Sequence, residues 1–209
     1  MLAVFELPKY LIGVAAKRIS RNDNLVSVDQ FKAMWGPISK KEKETQIFLL
    51  ISSDGRTIQP SDLTVLIRGV VNHHPGLVHL KNTESEAFYI ATVRTRLLHM
   101  IGPRSNLKIT RKEFAVIPES LFQLEQVEDI TRYPIPFDYM SFYVLLNTFW
   151  ENNGTKDGHI TKEFLSLYNN HSLTSRIVER LFQIQFVLTS GTNDKRYLYE
   201  DFVCKVLLH

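Results

Sequence analysis

The chain has 209 residues, of which 44% are hydrophobic and 22% are charged, a composition that excludes disordered and collagen-like chains. Glycine and proline are sparse, at 9 and 8 residues, which argues against a loop-rich β protein. Lys and Arg exceed Asp and Glu by 25 to 22. Because these basic residues are scattered rather than collected on one face, we expect no nucleic-acid partner.

Apolar residues recur with a helical period along most of the chain. The repeat i, i+3, i+4, i+7 runs through residues 87–101, 142–150 and 177–185, as is typical of helices with one buried face. Four pairs have the capping-box spacing of a helix start: Ser27 with Gln30, Ser39 with Glu42, Thr83 with Glu86, and Thr110 with Glu113. Pro60 fits a first helical turn. These signals predict an all-α protein with about eight or nine helices.

A polar loop, one aliphatic residue, one polar residue and a new helix recur in this order. The aliphatic residues are Val26, Ile58, Ile109 and Ile160, with a weaker copy at Leu198. The pattern resembles the EF-hand helix–loop–helix, in which two sister loops pair through these positions. Sequence spacing predicts that Val26 pairs with Ile58 and Ile160 with Leu198, which leaves Ile109 in an isolated module. Generic helix–turn–helix packing is the alternative, and the run from Asp157 to Glu163 favours the EF-hand interpretation.

The best candidate calcium loop runs over residues 153–164. Its oxygen donors would be Asn153, Thr155, Asp157, the His159 carbonyl and Thr161. The last position of such a loop requires a bidentate Glu, but it holds Phe164. Glu163 comes one residue early, which is a rotation of about 100° on a helix. We therefore predict calcium binding no tighter than roughly millimolar, and no other cofactor.

The remaining loops carry fewer metal ligands. Loop 19–30 contains Arg21, loop 51–62 opens with Ile51, and loop 102–113 has Arg104 where an acid belongs. We interpret these modules as packing units, joined by only very short β pairings between loops. The segment 133–136, Tyr-Pro-Ile-Pro, is the best candidate boundary. It predicts an N-terminal lobe over residues 1–132 and a C-terminal lobe over residues 133–209.

No motif for a nucleophile elbow or a nucleotide-binding loop occurs in the sequence, so we expect no enzyme. His73 and His74 are adjacent to Pro75 and read as a helix end rather than a metal site. A partner contact at these two histidines is a second interpretation. Tyr139 and Tyr143 lie four residues apart on one helical face. We consider them candidate partner contacts, although such aromatic residues are more often core.

The location of the protein is predicted from two features of the sequence. No apolar stretch approaches the roughly 20 residues that cross a bilayer, so we expect no membrane attachment. Cys204 is the single cysteine, which excludes a disulfide framework and indicates a reducing environment. We therefore expect an intracellular protein in the cytoplasm, in the nucleus or on the cytoskeleton.

Five ordered segments resemble the regulatory B'' subunits of protein phosphatase 2A. They are Ala33-Met34-Trp35, the run His73-His74-Pro75-Gly76-Leu77, residues 137–151 beginning Phe-Asp-Tyr-Met-Ser-Phe-Tyr, residues 167–182 beginning Leu-Tyr-Asn, and Tyr199-x-Asp201-Phe202-Val203. The resemblance covers roughly residues 25 to 208. Relative to that family the chain is divergent and short at the C-terminus, since it ends before the more acidic calcium loop that members usually carry.

The resemblance implies two lobes of degenerate EF-hand-like modules and no catalysis. It also implies binding to the scaffold and catalytic subunits of the phosphatase, choice among its substrate proteins, and a calcium response that is weak or lost. The rival hypothesis is a cytoskeletal or centrosomal EF-hand-like structural protein that does not bind the phosphatase.

Overall fold

The computed structural model describes residues 7–19, 27–102, 108–132, 136–152, 160–183 and 199–207. Its helices are α1 (Ile12–Ile19), α2 (Val28–Ser39), α3 (Lys43–Ile51), α4 (Pro60–His73), α5 (Glu84–Ile101), α6 (Arg111–Phe114), α7 (Pro118–Glu125), α8 (Tyr139–Asn152), α9 (Lys162–His171), α10 (Ser175–Gln183) and α11 (Tyr199–Leu207). Short 3₁₀ turns cover Lys9–Leu11, Pro75–Leu80 and Ile130–Arg132. Strands β1 (Thr57–Ile58) and β2 (Ile109–Thr110) form an antiparallel pair. The all-α prediction is confirmed, although the predicted number of helices was too low.

The chain divides into two compact units. The first comprises Met1–Glu86 with Lys108–Pro134, and the second comprises Ala87–Leu107 with Ile135–His209. Most of α5 therefore belongs to the second unit, whereas β2, α6 and α7 belong to the first. The predicted lobes 1–132 and 133–209 remain a prediction, and they differ from this division in where residues 87–107 and 133–134 fall.

Two of the four predicted capping boxes form. Ser27 caps α2 with Gln30, and Thr110 caps α6 with Glu113. Ser39 is instead the last residue of α2, where its hydroxyl donates to the Gly36 carbonyl. Helix α3 starts only at Lys43. The carboxylate of Glu86 accepts from the backbone N–H of Asn82 rather than that of Thr83. Spacing marks helix starts well, but the local hydrogen bonds decide which residue caps.

The core of the first unit is largely aliphatic. Helix α4 buries one continuous face, which consists of Leu63, Leu66, Ile67, Val70 and Val71. Ile58 and Ile109 are fully buried where β1 meets β2. Phe48 of α3 and Phe114 of α6 pack edge to face, with ring centroids 5.7 Å apart. These contacts hold the two loops of the first unit together.

The core of the second unit is aromatic. Phe149 of α8 lies at its centre, with ring centroids 5.7 Å from Phe164 and Phe202 and 5.1 Å from Tyr199. Tyr89 of α5 packs at a right angle on Phe142, 5.2 Å away. Edge-to-face pairs of this kind add about 0.5–1.5 kcal/mol each beyond the burial of their area.

Among the described helices, none is both long and apolar enough to span a membrane.

Candidate functional site

In the first unit, loop 51–62 pairs with residues 108–113, the part of loop 102–113 that belongs to this unit. Ile58 of β1 faces Ile109 of β2, and Thr57 faces Thr110. The prediction that Ile109 stands in an isolated module is therefore wrong, because it pairs with Ile58. Val26, the predicted partner of Ile58, lies outside the described residues. Strand pairing depends on which loops tertiary packing brings together, and sequence spacing does not report this. The predicted partner of Ile160, Leu198, lies outside the described residues.

The carboxylate of Asp54 closes loop 51–62 from within. Its Oδ1 accepts backbone N–H groups from Thr57 and Arg56, both at 2.7 Å, and the Ser52 hydroxyl at 3.0 Å. Its Oδ2 accepts the Thr57 hydroxyl at 2.9 Å. The backbone donors, Thr57 first and then Arg56, hold the pKa of Asp54 far below its usual range. Asp54 occupies the fourth loop position, which is not a calcium-ligand position, and these bonds fix the turn of the loop.

The acids at the ends of both loops act as helix caps. Asp62 Oδ2 accepts the Gln59 N–H at 2.9 Å, together with the hydroxyl of Ser53 at 3.2 Å. Glu113 Oε2 accepts both the N–H and the hydroxyl of Thr110 at 2.7 Å. Among the described residues no group of three or more His, Cys, Asp and Glu side chains is arranged to hold a metal ion.

The predicted calcium ligands fall mostly outside the described residues. This applies to Asn153, Thr155, Asp157 and His159. The fifth, Thr161, caps α9, and its hydroxyl accepts the Phe164 N–H at 3.1 Å. Phe164 is only 3% exposed, so the last loop position points into the aromatic core. The ligand set itself stays a prediction.

The two histidines at the end of α4 have different environments. His73 is exposed, and its Nδ1 lies 2.8 Å from the Gly69 carbonyl. His74 is fully buried. Its Nδ1 accepts the Gly76 N–H at 3.1 Å, which leaves Nε2 to donate to the Val127 carbonyl at 2.8 Å. The helix ends at His73, as predicted, but the buried ring of His74 cannot present itself to a partner as the contact hypothesis required.

Burial is the main reason why the pKa of His74 lies below its ordinary value, and the positive charge of Lys9 lowers it further. The hydrogen bond to the Val127 carbonyl opposes this shift. Protonation at Nδ1 would also break the bond from Gly76. His74 therefore acts as a neutral internal link between the end of α4 and the segment after α7.

Tyr139 and Tyr143 form part of an uncharged surface on α8. Their rings stack with centroids 6.3 Å apart, and Tyr143 is 47% exposed. Met140 and Val144 are exposed on the same side of the helix, and no charged residue occurs between residues 139 and 150. We call Tyr139, Met140, Tyr143 and Val144 the α8 surface. Such a contiguous apolar patch is typical of a protein contact.

Sequence reasoning missed a buried arginine in the second unit. Arg96 is 2% exposed, and its Nη1 donates to the carbonyls of Pro136 and Asp138, at 3.3 and 3.2 Å. Burial lowers its pKa from the ordinary value. The sequence indicates this burial, because Arg96 interrupts the apolar face that Val93 and Leu97 mark on α5. Its role is to fix the backbone that leads into α8.

Comparison with known proteins gives matches over most of the chain. Residues 42–129, which include β1 and β2, match the EF-hand domain family. A probable serine/threonine protein phosphatase 2A regulatory protein of the B''delta type, from Arabidopsis thaliana, is 31% identical over 212 residues, covering 98% of this chain and 39% of its own length. The alpha form of the B'' regulatory subunit of Homo sapiens is 33% identical over 187 residues, covering 85% of this chain and 16% of its own length.

A solved structure agrees with these relatives. A chain from a PP2A PR70 holoenzyme matches with a TM-score of 0.70 and 31% identity, over 79% of this chain and 62% of that chain. This chain spans less than two thirds of the length of each of these relatives. The sequence identities and the similarity in fold point to the same group of proteins. Over most of its length, this chain is a homologue of the B'' regulatory subunits of protein phosphatase 2A, with EF-hand-like architecture.

Proposed function

We propose that this chain is a non-catalytic regulatory and targeting subunit of protein phosphatase 2A. In this role it binds the scaffold and catalytic subunits and directs the choice of substrate proteins. The observation that carries the proposal is the match to a chain of a PP2A PR70 holoenzyme, at 31% identity over 79% of this chain. This similarity in both sequence and fold supports a shared binding role.

The α8 surface is the proposed contact with the phosphatase core. Buried contact surfaces are depleted in charge and enriched in Tyr and Met, and the α8 surface has this composition. Phe142 and Phe149 hold the opposite face of α8 in the aromatic core, so the exposed residues sit on a rigid element. His73 remains a predicted contact at a separate position.

Calcium binding is proposed to be weak and not required for this role. Asp54 and Asp62 of loop 51–62 already accept several hydrogen bonds each. In loop 153–164 the last position holds Phe164 rather than a bidentate Glu. Affinity in EF-hand loops follows the number of charged ligands. A calorimetric calcium titration of the full chain should give no binding tighter than roughly millimolar; clearly tighter binding would contradict the proposal.

The binding experiment uses two surface valines of nearly equal exposure. Val144 in the α8 surface is 57% exposed, and Val28 in α2 is 58% exposed. We expect the unmodified chain to retain a purified scaffold–catalytic dimer in a pull-down. Val144→Glu should weaken this binding by about tenfold or more, since a charge replaces an apolar contact, whereas Val28→Glu should leave it unchanged. The melting temperature of each variant checks folding.

The rival hypothesis makes the opposite prediction. A cytoskeletal or centrosomal EF-hand-like structural protein would show no affinity for the scaffold–catalytic dimer, and Val144→Glu would have no effect on phosphatase binding. Failure of the unmodified chain to bind the dimer would therefore refute the proposed function. An intracellular location, as the single cysteine suggests, fits both hypotheses.

A further inference from the structure

The segment that leads into α8 is held by side chains of α5. The Tyr89 hydroxyl donates to the Phe137 carbonyl at 2.7 Å, and Arg96 Nη1 donates to the carbonyls of Pro136 and Asp138 at 3.3 and 3.2 Å. Three consecutive carbonyls therefore accept hydrogen bonds from two residues of one helix. We call Tyr89 and Arg96 the α5 clamp. Both the clamp and the segment belong to the second unit.

Asp138 connects the clamp directly to the first turn of α8. Its carboxylate accepts the backbone N–H of Met140 at 3.0 Å and that of Ser141 at 3.1 Å, as the side chain of an N-terminal cap does. Its carbonyl is one of the two that Arg96 binds. The residue that begins the helix is therefore fixed by α5, and Met140, which it caps, belongs to the α8 surface.

The buried face of α8 is fixed by the same part of α5. The Tyr89 ring packs at a right angle on Phe142, with ring centroids 5.2 Å apart, and both side chains are buried. On its other side, the Phe142 ring lies 5.8 Å from that of Tyr139, which is part of the α8 surface. Tyr89 therefore contacts the leading segment through its hydroxyl and α8 itself through its ring, so one side chain influences both where the helix begins and how it is rotated.

Arginine is an unfavourable choice for a core position such as 96. The Arg96 side chain is buried, and no described residue accepts its Nε–H. Replacing a buried charged group by an apolar residue of similar volume is often neutral or stabilising. Stability alone therefore does not account for this arginine. A guanidinium group supplies directed donors in a fixed plane, which an apolar side chain lacks, and here they orient the backbone before α8.

We propose that the two residues of the α5 clamp are positioning residues for the α8 surface. By fixing residues 136–138 the clamp sets the start and the rotation of α8, so that Tyr139, Met140 and Tyr143 are held in one arrangement before a partner binds. A pre-formed surface binds more tightly, because less conformational freedom is lost on binding. The clamp residues are buried, so they act through α8 rather than by contacting the partner. This inference rests on the proposed function, in which the α8 surface contacts the phosphatase core.

The first test removes one hydroxyl group from each of two buried tyrosines in the full chain. Tyr89→Phe deletes the bond to the Phe137 carbonyl. The matched control, Tyr199→Phe, deletes the 2.9 Å hydrogen bond between Tyr199 and Thr92, which joins α5 to α11 instead. The affinity for the purified scaffold–catalytic dimer should fall about fivefold in Tyr89→Phe and stay within about twofold in the control. Equal losses in both variants would indicate general destabilisation and overturn the proposal.

Amide hydrogen exchange separates positioning from a loss of overall stability. In Tyr89→Phe the amides of Met140 and Ser141 should exchange about tenfold faster than in the unmodified chain, because their cap, Asp138, is held less firmly. Amides of α9 and α11 should keep their exchange rates. Equally faster exchange throughout the second unit would indicate a purely structural role and overturn the proposal.

Arg96→Lys tests the other half of the clamp. Lysine keeps the positive charge, but its ammonium group is a compact point donor and does not reproduce the planar guanidinium. This variant should weaken binding to the dimer and speed exchange at Met140, as Tyr89→Phe does. If both clamp variants bound the dimer as tightly as the unmodified chain, the clamp proposal would be refuted and the proposed function would stand. If the unmodified chain itself did not bind, the proposed function would fail, and the role of the clamp in binding would fail with it.

Discussion

Two EF-hand-like loops of this protein use their last position in different physical ways. Loop 51–62 of the first unit keeps an acid at its last position, but Asp62 is used as a helix cap, and Asp54 closes the loop through backbone hydrogen bonds. Loop 153–164 of the second unit ends in Phe164, which joins the aromatic core. In the first loop the last position makes hydrogen bonds, and in the second the same position packs in the core.

The two units also differ in the composition of their cores. The first has an aliphatic core with the neutral, buried His74 as an internal link. The second has an aromatic core in which Tyr89 and Tyr199 are buried. We therefore expect the first unit to be sensitive to acid and the second to alkali. Trp35 lies in the first unit and Trp150 in the second, so removal of either tryptophan leaves a fluorescent reporter of the other unit.

The largest expected effect follows Phe164→Glu. The substitution removes a core ring and buries a carboxylate without a partner, so the second unit should lose at least about 3 kcal/mol of unfolding free energy. Urea unfolding reported by Trp150 in a Trp35→Phe background measures this loss. Added calcium should not restore stability, although the substitution completes the acid position of the loop.

Leu167→Glu is the matched control for this substitution. Leu167 is in the same helix and 48% exposed, so its change should stay within about 0.5 kcal/mol. If Phe164→Glu were as stable as the unmodified chain and bound calcium tightly, position 164 would belong to a metal loop rather than to the core.

The second largest effect is a loss of stability in alkali. Burial raises the pKa of Tyr199 from 10.0 to about 12 and raises that of Tyr89 as well. The unfolded chain releases these protons first, so stability is complete below pH 10 and falls as the pH rises toward 12. For Tyr199 the loss is about 3 kcal/mol. Unfolding followed by Trp150 should show it, and Tyr199→Phe should flatten the pH dependence.

The smallest effect is a loss of stability in mild acid. The pKa of His74 is lowered by burial, so the unfolded chain takes up a proton that the folded chain resists. Stability is therefore complete above pH 6.5 and falls as the pH drops below it. Trp35 in a Trp150→Phe background should report a larger decline than Trp150 does. If His74→Gln kept the same acid dependence, another group would be responsible.

Local chemistry made several features predictable. The helical period of residues 142–150 marked both the buried face of α8 and its aromatic contribution to the core. The cap pairs Ser27 with Gln30 and Thr110 with Glu113 formed as their spacing indicated. Pro60 starts α4, and α4 ends at His73, shortly before Pro75, as predicted. These signals work because each depends on hydrogen bonds and sterics within a few residues.

Other features depended on groups distant in sequence. The burial of Arg96 was missed because its partners, the carbonyls of Pro136 and Asp138, lie about 40 residues away. His74 was grouped with His73 as a surface contact, yet the Val127 carbonyl lies 53 residues further along the chain. The role of Asp54 was also missed, because the fourth loop position is not a calcium-ligand position and its hydrogen bonds form only in the folded loop.

The sequence by itself determined the helical architecture, the EF-hand-like spacing of loops and the absence of a bidentate Glu at position 164. It did so because periodicity, capping and ligand chemistry are properties of neighbouring residues. Tertiary structure alone decided that Ile58 pairs with Ile109, that α5 is divided between the two units from Ala87 onward, and that the Tyr10 carbonyl packs against Gly69. Each of these depends on which buried surfaces meet in space, and sequence distance does not encode that choice.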